Sequence, residues 1–203
     1  MAKDLKAEEK IKQAAREIFV KKGLAGARMQ EIADEAGINK AMLHYYYRSK
    51  EKLFEAIFTE LIEEFAPRMI SAMGSDRPLK EKIEMYVNEV ITALKAHPEL
   101  PIFIFNELRN NPSGTLKKIG IIESGALEKI TKQLQEEAEA GNIQPIPVQE
   151  FMINMASMCI FPFLAKPMFQ GLFGATDEMF EFYMEMRKNT IPEYVMNAIS
   201  TKK

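Results

Sequence analysis

The sequence predicts an all-α protein of about nine helices, with a three-helix head at the N-terminus and a larger helical domain behind it. Apolar residues recur every three or four positions instead of alternating, as helices require. Hydrophobic residues make up 47% of the 203 residues, enough to bury a sizeable core. Residues 28–50, RMQEIADEAGINKAMLHYYYRSK, have the pattern of a helix-turn-helix motif. We expect domains at 1–50 and 51–203.

The N-terminal head is expected to contain three helices. An apolar stripe predicts the first helix over 6–22, where Lys21 and Lys22 suit a C-terminus and Gly23 a stop. A second, short helix is expected over 29–36, followed by a turn in which Gly37 adopts positive φ. Asn39 is suited to cap a third helix over 40–46.

The larger domain begins with a helix capped by Ser49, which Pro67 should kink or end. Its apolar stripe is too wide for one buried face, so we expect packing on two sides. Amphipathic helices follow at 79–96 and, after His97-Pro98, over a short apolar segment that stops at Asn110-Asn111-Pro112. The remaining pattern predicts a helix over 114–139 with a break near Gly120 or Gly125, a loop at 141–147, a helix at 148–165, an apolar loop at 166–176 and a helix at 176–199.

Composition excludes several classes of protein. No apolar run reaches the roughly 18 residues of a membrane span, and the charged N-terminus leads into no signal-peptide core, so we expect a cytoplasmic protein without membrane contact. The single Cys159 forms no intramolecular disulfide and is either a buried core residue or a reactive thiol. Residues 1–50 contain eleven basic and seven acidic residues, a net charge of +4, while the remainder carries −6. A basic head fits contact with a polyanion.

Catalytic and metal-binding patterns are missing from the sequence. It has no Glu-x-x-His pair, Gly-rich phosphate loop, nucleophile elbow or His/Cys cluster, and its two histidines and one cysteine are far apart. We therefore expect no enzyme, no cofactor and no metal. A helical adaptor without DNA binding remains the alternative to a DNA-binding protein.

The N-terminal quarter resembles the tetracycline-repressor (TetR) family of bacterial regulators. Ile18-Phe19, Glu31-Ile32-Ala33 and Ala36-Gly37-Ile38 carry the first part of the match, and the rest is carried by Leu43, Tyr45-Tyr46-Tyr47, Ser49-Lys50-Glu51 and Leu53-Phe54. The resemblance covers about residues 8–55. It implies a ligand-responsive transcriptional regulator, most often a repressor.

The head supplies the candidate DNA contacts. In a helix-turn-helix the start of the second helix meets base edges, which places Lys40, Ala41 and Met42 there, with Gln30 near a base or phosphate. The resemblance implies that His44, Tyr45, Tyr46 and Lys50 approach the phosphate backbone. Two positions depart from the family pattern, because Arg28 replaces a threonine that caps the second helix and His44 replaces a tyrosine. Arg28 can still contact phosphate.

The larger domain is rich in Met and Phe, with eleven of fourteen Met and twelve of thirteen Phe at or after residue 54. The resemblance implies that it binds a small apolar or amphipathic effector between helices. Such residues can equally form plain core. The candidate lining residues are Phe65, Met69, Tyr86, Val90, Phe103, Phe105, Asn106, Leu127, Met155 and Met158.

The last two long helices are the expected homodimer interface, because equivalent helices in the family form a four-helix bundle between subunits. A two-fold dimer would place two recognition helices on half-sites about 34–36 Å apart, so the double-stranded DNA operator should be a near palindrome. The candidate interface residues recur at helical spacing: Phe151, Phe163, Phe180, Tyr183, Met184, Arg187, Ile191 and Tyr194.

Overall fold

A computed structural model describes the backbone of residues 2–201 and the side chains of residues 6–201. Eleven α-helices occupy this range, and the all-α prediction is confirmed. The prediction of about nine helices was too low by two short elements, α7 and α10. The helices are α1 (Ala2–Gly26), α2 (Met29–Glu35), α3 (Lys40–Tyr46), α4 (Lys50–Gly74), α5 (Leu79–Ala96), α6 (Leu100–Asn110), α7 (Pro112–Ile119), α8 (Ala126–Glu139), α9 (Val148–Leu164), α10 (Lys166–Phe173) and α11 (Asp177–Ile199).

The chain divides into two compact units, one up to Ile62 and one from Glu63 onward. This division falls later than the sequence boundary at residue 50. The reason is that the first three turns of α4 bury Leu53, Phe54 and Phe58 in the core of the first unit.

The core of the first unit is closed by aromatic packing. Phe19 of α1 meets Phe54 edge-to-face, with ring centroids 5.3 Å apart. Tyr47 is buried, and its hydroxyl donates to Glu8 over 2.9 Å. The backbone of α1 leaves helical geometry at Gly23, where φ is 66°, before a last turn to Gly26.

Helix α4 continues through Pro67 to Gly74, so Pro67 does not end it. A proline removes one N–H from the helical ladder and leaves the carbonyl four residues earlier without its partner. Both Pro67 and Glu63 lie on the exposed side of the helix, where water can satisfy that carbonyl.

The second unit is organised around α5, which packs against α11 and α9. Its inner face, including Tyr86, Val87, Val90 and Ile91, is buried. Lys95 near the end of α5 pairs with Glu181 at 3.2 Å and Glu185 at 2.8 Å on α11.

Two details of the second unit concern glycine and proline. The expected break in 114–139 is confirmed, with φ of 75° at Gly120 and 68° at Gly125 on either side of a turn. The loop expected at 166–176 was wrong, because residues 166–173 form α10. Pro167 lies in the first turn of α10, where the missing N–H has no helical partner to lose, and Gly174 ends the helix at φ 62°.

Among the described residues, no single helix has both the length and the apolar composition needed to cross a membrane. Helices α9 and α10 reach that length and composition only as a pair, and they are bent by 66° at the junction.

Candidate nucleic-acid interface

The turn between α2 and α3 is built as a helix stop followed at once by a helix start. Ile38 N–H donates to Ala33 and Gly37 N–H to Asp34, which together form a Schellman motif around Gly37, where φ is 67°. The Asn39 side chain then accepts from Met42 N–H at 2.7 Å and caps α3. Four residues, 36–39, therefore end one helix and begin the next, with Gly37 and Asn39 in their predicted roles.

The inner face of the motif fixes α3 to the first unit. Ile32, Ala33 and Leu43 are each 0% exposed, so one buried stripe joins the two short helices to their unit. Because α3 has only seven residues, it depends on this packing for its stability.

The outer face presents the predicted base-contacting residues. Lys40 and Ala41 are exposed at the start of α3, and Met42 is half-buried beside them. Lys40 has no hydrogen bond or ion pair within residues 6–201, so its ammonium is available to an external acceptor. On α2, Gln30 is exposed but donates to Asp34 at 2.7 Å.

A polar and aromatic rim follows at the end of α3. Tyr45 is the most exposed large hydrophobic side chain of this region at 84%, and it packs edge-to-face on the half-buried Tyr46. The His44 ring nitrogen Nδ1 lies 3.3 Å from the carbonyl oxygen of Arg48, which orients the imidazole. Together, His44, Tyr45 and Tyr46 form a surface of aromatic rings and polar groups at the C-terminal end of α3.

Lys50 and Arg28 differ in their local roles. The Lys50 ammonium donates to the carbonyls of Ala25 (3.1 Å) and Ala27 (3.2 Å), and so connects the start of α4 to the last turn of α1 and the residue that follows it. This contact was missed from sequence because the partners are backbone atoms 23 and 25 residues away. Arg28 precedes α2 without a side-chain cap, as its departure from the family pattern implied, and its side chain is exposed.

At the start of α4, the Ser49 hydroxyl accepts from Lys52 N–H at 3.3 Å, which confirms the predicted cap. The pKa of Glu51 is lowered, first by a hydrogen bond from its own backbone N–H and then by one from Ser49. The first turn of α4 thus already holds one carboxylate at its N–H groups.

In the second unit, most predicted effector contacts lie in the core. Phe65, Tyr86, Val90, Phe103 and Met155 are buried, and Met69, Asn106 and Met158 are half-buried. Two residues lie apart from this group, since Phe105 is 50% and Leu127 42% exposed. Three open clefts of about 790, 580 and 320 Å³ mark the surface of this unit, and none of them is lined by a predicted contact.

Tyr86 is the polar group inside this core. It is 9% exposed, and its hydroxyl has no hydrogen bond to any described residue. Burial raises the pKa of the Tyr86 hydroxyl well above its ordinary value, and the Cys159 thiol nearby adds to this effect. Cys159 itself is 1% exposed, and burial raises its pKa to about 12, which matches the core interpretation and not the reactive thiol.

The predicted dimer residues divide between core and surface. Phe151, Phe163, Phe180, Met184 and Ile191 are buried within this chain's own core. Tyr183 and Tyr194 are exposed, and Arg187 is half-buried with its guanidinium donating to the Met158 carbonyl at 2.8 Å. Sequence periodicity showed that α9 and α11 are apolar, but could not separate their two apolar faces.

The second face of each helix forms what we call the α9/α11 stripe. On α9 the exposed apolar residues lie three to eight positions apart, and on α11 one to eight, so each set follows one side of its helix. Contiguous exposed apolar side chains of this size often mark an interaction surface. The stripe consists of Ile153, Phe161, Leu164, Met179, Phe182, Tyr183, Met186 and Tyr194.

Comparison with known proteins agrees with this arrangement. Residues 11–57 match the model of the family described as bacterial regulatory proteins, tetR family. The HTH-type transcriptional regulator RutR of Escherichia coli K12 is 29% identical over 182 residues, covering 84% of this chain and 81% of RutR. The fatty acid metabolism regulator protein of Bacillus subtilis is 26% identical over 134 residues, which cover 66% of this chain and 69% of that protein.

Solved structures share the fold along the whole chain. The crystal structure of HlyIIR, a hemolysin II transcriptional regulator, superposes with a TM-score of 0.64 at 24% identity. The superposition covers 97% of this chain and 98% of HlyIIR. The similarity therefore extends beyond the helix-turn-helix segment to the helical domain behind it.

Proposed function

We propose that this chain, which belongs to the TetR family of bacterial transcriptional regulators, represses transcription as a homodimer and leaves its operator when it binds a small effector. The observation that carries this proposal is the α2–α3 motif. Its Schellman turn, Asn39 cap and buried Leu43 hold an exposed Lys40 and Ala41 in the position of a recognition helix.

In the proposed complex, α3 reads bases and its surroundings hold the phosphates. Lys40 donates to guanine O6 or N7, and Ala41 and Met42 meet a thymine methyl group. Gln30 reaches a base edge or phosphate after releasing Asp34 or with its other N–H. The phosphate contacts, which set register without reading sequence, come from Arg28, His44, Tyr45, Tyr46 and Lys50.

Lys50 can bind phosphate without giving up its internal contacts. An ammonium group has three N–H donors, and two are used on Ala25 and Ala27. The third is free for a phosphate oxygen, and the two internal bonds hold the group in place before DNA arrives. Pre-ordered donors lose less side-chain entropy on binding than mobile ones do.

The α9/α11 stripe is the proposed dimer interface. In the dimer, α9 and α11 of one copy would pack against α9 and α11 of the other copy and cover both stripes, as in the four-helix bundle of the family. A two-fold dimer places both recognition helices on one face of DNA, one helical turn apart.

The proposed effector is small and apolar or amphipathic. The core around Tyr86, Phe103 and Met155 is apolar, and the Tyr86 hydroxyl has no hydrogen bond to any described residue. An effector that places a carbonyl, carboxylate or hydroxyl against Tyr86 would supply one. The B. subtilis relative, named as a regulator of fatty acid metabolism, fits this class of compound.

Repression is relieved without catalysis. The effector binds one conformation of the dimer more tightly, and this conformation spaces the two DNA-binding units poorly for successive major grooves. The shift in DNA affinity cannot exceed the difference in effector affinity between the two conformations, and the coupling is reciprocal.

The test is a binding titration against DNA flanking the native gene, at several salt concentrations. We expect affinity to fall steeply with salt, because each neutralised phosphate releases counterions. Ala41→Glu should abolish binding, since it places a carboxylate against the groove. Ala96→Glu, at an exposed position on α5, is the matched control and should bind as the native chain does.

Absent or salt-insensitive binding would favour a helical adaptor instead. A second titration adds a library of fatty acids, acyl thioesters and sterols. We expect one class to lower operator affinity in the native chain and to lose that effect in Tyr86→Phe. Equal operator affinity across the whole library would contradict the effector part of the proposal.

A further inference from the structure

Lys82 is the most buried lysine or arginine among residues 6–201, with 2% of its surface exposed. It lies on α5, in the second unit, and its ammonium has no hydrogen bond or ion pair to any described residue. The stem of Lys82 is covered, and a partly desolvated ammonium without a partner gains from contact with an external anion. Burial lowers the pKa of Lys82, and the carboxylate of Asp76 partly offsets this effect.

Lys82 lines a surface cleft of about 320 Å³, which we call the Lys82 cleft. Its walls are the 75–77 turn after α4 and one face of α8. The basic lining residues outnumber the acidic ones, four to two. Both acidic residues already have partners, since Asp76 pairs with Lys129 at 3.1 Å and Glu136 with Lys132 at 3.5 Å.

A second unsatisfied group lies in the same cleft. Gln133 donates through Nε2 to the carbonyl of Arg77 at 3.1 Å, and this bond fixes the orientation of its amide. Its Oε1 atom is buried and has no hydrogen-bond partner. The cleft therefore contains an ammonium without a partner and, in its wall, an amide oxygen that is costly to leave unsatisfied.

We propose that the Lys82 cleft binds a small oxyanion that carries a hydroxyl group, with the anionic oxygens on Lys82 and the hydroxyl donating to Gln133 Oε1. A hydroxycarboxylate and a hydrogen phosphate group both have this chemistry. The cleft is lined by none of the effector contacts predicted around Tyr86, so this is a second small-molecule site. It does not depend on operator binding.

The probes are citrate, tricarballylate and inorganic phosphate, added to the full-length protein at matched ionic strength and followed by calorimetry. Citrate and tricarballylate carry the same three carboxylates, but only citrate has the hydroxyl. We expect citrate to bind about tenfold more tightly, the effect of one hydrogen bond to an otherwise unsatisfied buried acceptor. Comparison of the citrate and phosphate affinities shows whether the cleft prefers a hydroxycarboxylate or a hydrogen phosphate group.

Lys82→Met keeps the apolar stem and removes the charge, and should weaken binding of the preferred anion by at least about tenfold. The matched control is Lys80→Met on the same helix, which is exposed and outside the cleft and should change nothing. Equal affinity of the native chain and Lys82→Met for the preferred anion would overturn the proposal. It would also be overturned if neither citrate nor inorganic phosphate bound.

A measurement on the native protein covers the case in which Lys82→Met does not fold. In protein labelled with ¹³C at lysine Cε, bound anion should shift the Lys82 resonance and raise its pKa, because the anion favours the charged ammonium. Shifts confined to Lys129 and Lys132, the exposed cations of the rim, would overturn the assignment to Lys82.

Discussion

At the scale of single residues, the helix-turn-helix depends on backbone geometry at Gly37. Its φ of 67° lies in the left-handed region, and a Cβ at this position would meet no atom within 4 Å. Glycine is therefore required by conformation and not by lack of space. This makes the energetic cost of a side chain here predictable.

We expect Gly37→Ala to lower the free energy of unfolding by about 1–2 kcal/mol, the cost of holding a Cβ in the left-handed region. Urea denaturation measures it. The control is Gly171→Ala within α10, where a Cβ also meets nothing and φ is not positive. That variant should gain roughly 0.5–1 kcal/mol. Equal effects at both positions would mean that Gly37 does not set the turn.

A second residue-scale prediction concerns Lys40, the exposed and unpaired cation at the start of α3. Lys40→Ala should weaken operator binding by about 1–3 kcal/mol and relax specificity at a single base pair. Binding to a panel of operators mutated one base pair at a time measures both effects. Lys80→Ala removes the same charge from the second unit and should bind as the native chain. A uniform loss over all sequences would make Lys40 a phosphate contact.

At the scale of elements, local signals placed most boundaries. Asn39, Ser49 and Gly37 each act within three residues of themselves, so a cap or a turn can be seen in the sequence. The path of α4 through Pro67 could not be seen, because it depends on which side of the helix faces water. Similarly, α10 forms in a segment whose Pro167 lies in the first turn and whose Gly174 ends the helix, so neither residue interrupts it.

The contact between α5 and α11 carries an electrostatic prediction. Hydrogen bonds from Lys188 and then Lys95 lower the pKa of Glu185 to about 2. A lowered pKa in the folded state stabilises the fold above the unfolded pKa of about 4.3, and this contribution disappears as pH falls through about 2. The contribution is small, because these side chains are screened by water.

We expect Lys188→Met and Lys95→Met each to raise the pKa of Glu185, measured by NMR titration of its side-chain carboxyl. Lys188 lies on the same helix as Glu185, whereas Lys95 comes from α5. Only Lys95→Met should therefore also reduce stability between pH 5 and 7 by weakening the contact between helices. The opposite ranking would show that the α5–α11 ion pair is not formed in solution.

At the scale of the whole molecule, α9 and α11 are apolar on two faces. One face packs in the core through Phe151, Met155, Phe180 and Met184, and the other is the exposed α9/α11 stripe. The sequence shows that both faces are apolar. It does not show which face is buried within the chain and which against a partner, because both kinds of burial remove apolar surface from water. The effector contacts pose the same problem, since Tyr86 and Phe103 are core residues whether or not a ligand reaches them.

The last prediction links the stripe to DNA binding. Phe182 is 65% exposed within the stripe, so Phe182→Glu should leave the fold intact while charging the interface. Sedimentation equilibrium should then find monomers. A monomer covers one half-site and fewer phosphates, so the slope of log affinity against log salt should fall to about half. Ile122→Glu, at a 63% exposed position in the turn before α8, is the control and should remain a dimer with the full slope. A dimeric Phe182→Glu protein would place the interface elsewhere on the chain, and a monomer with the full slope would mean that one copy makes all the phosphate contacts.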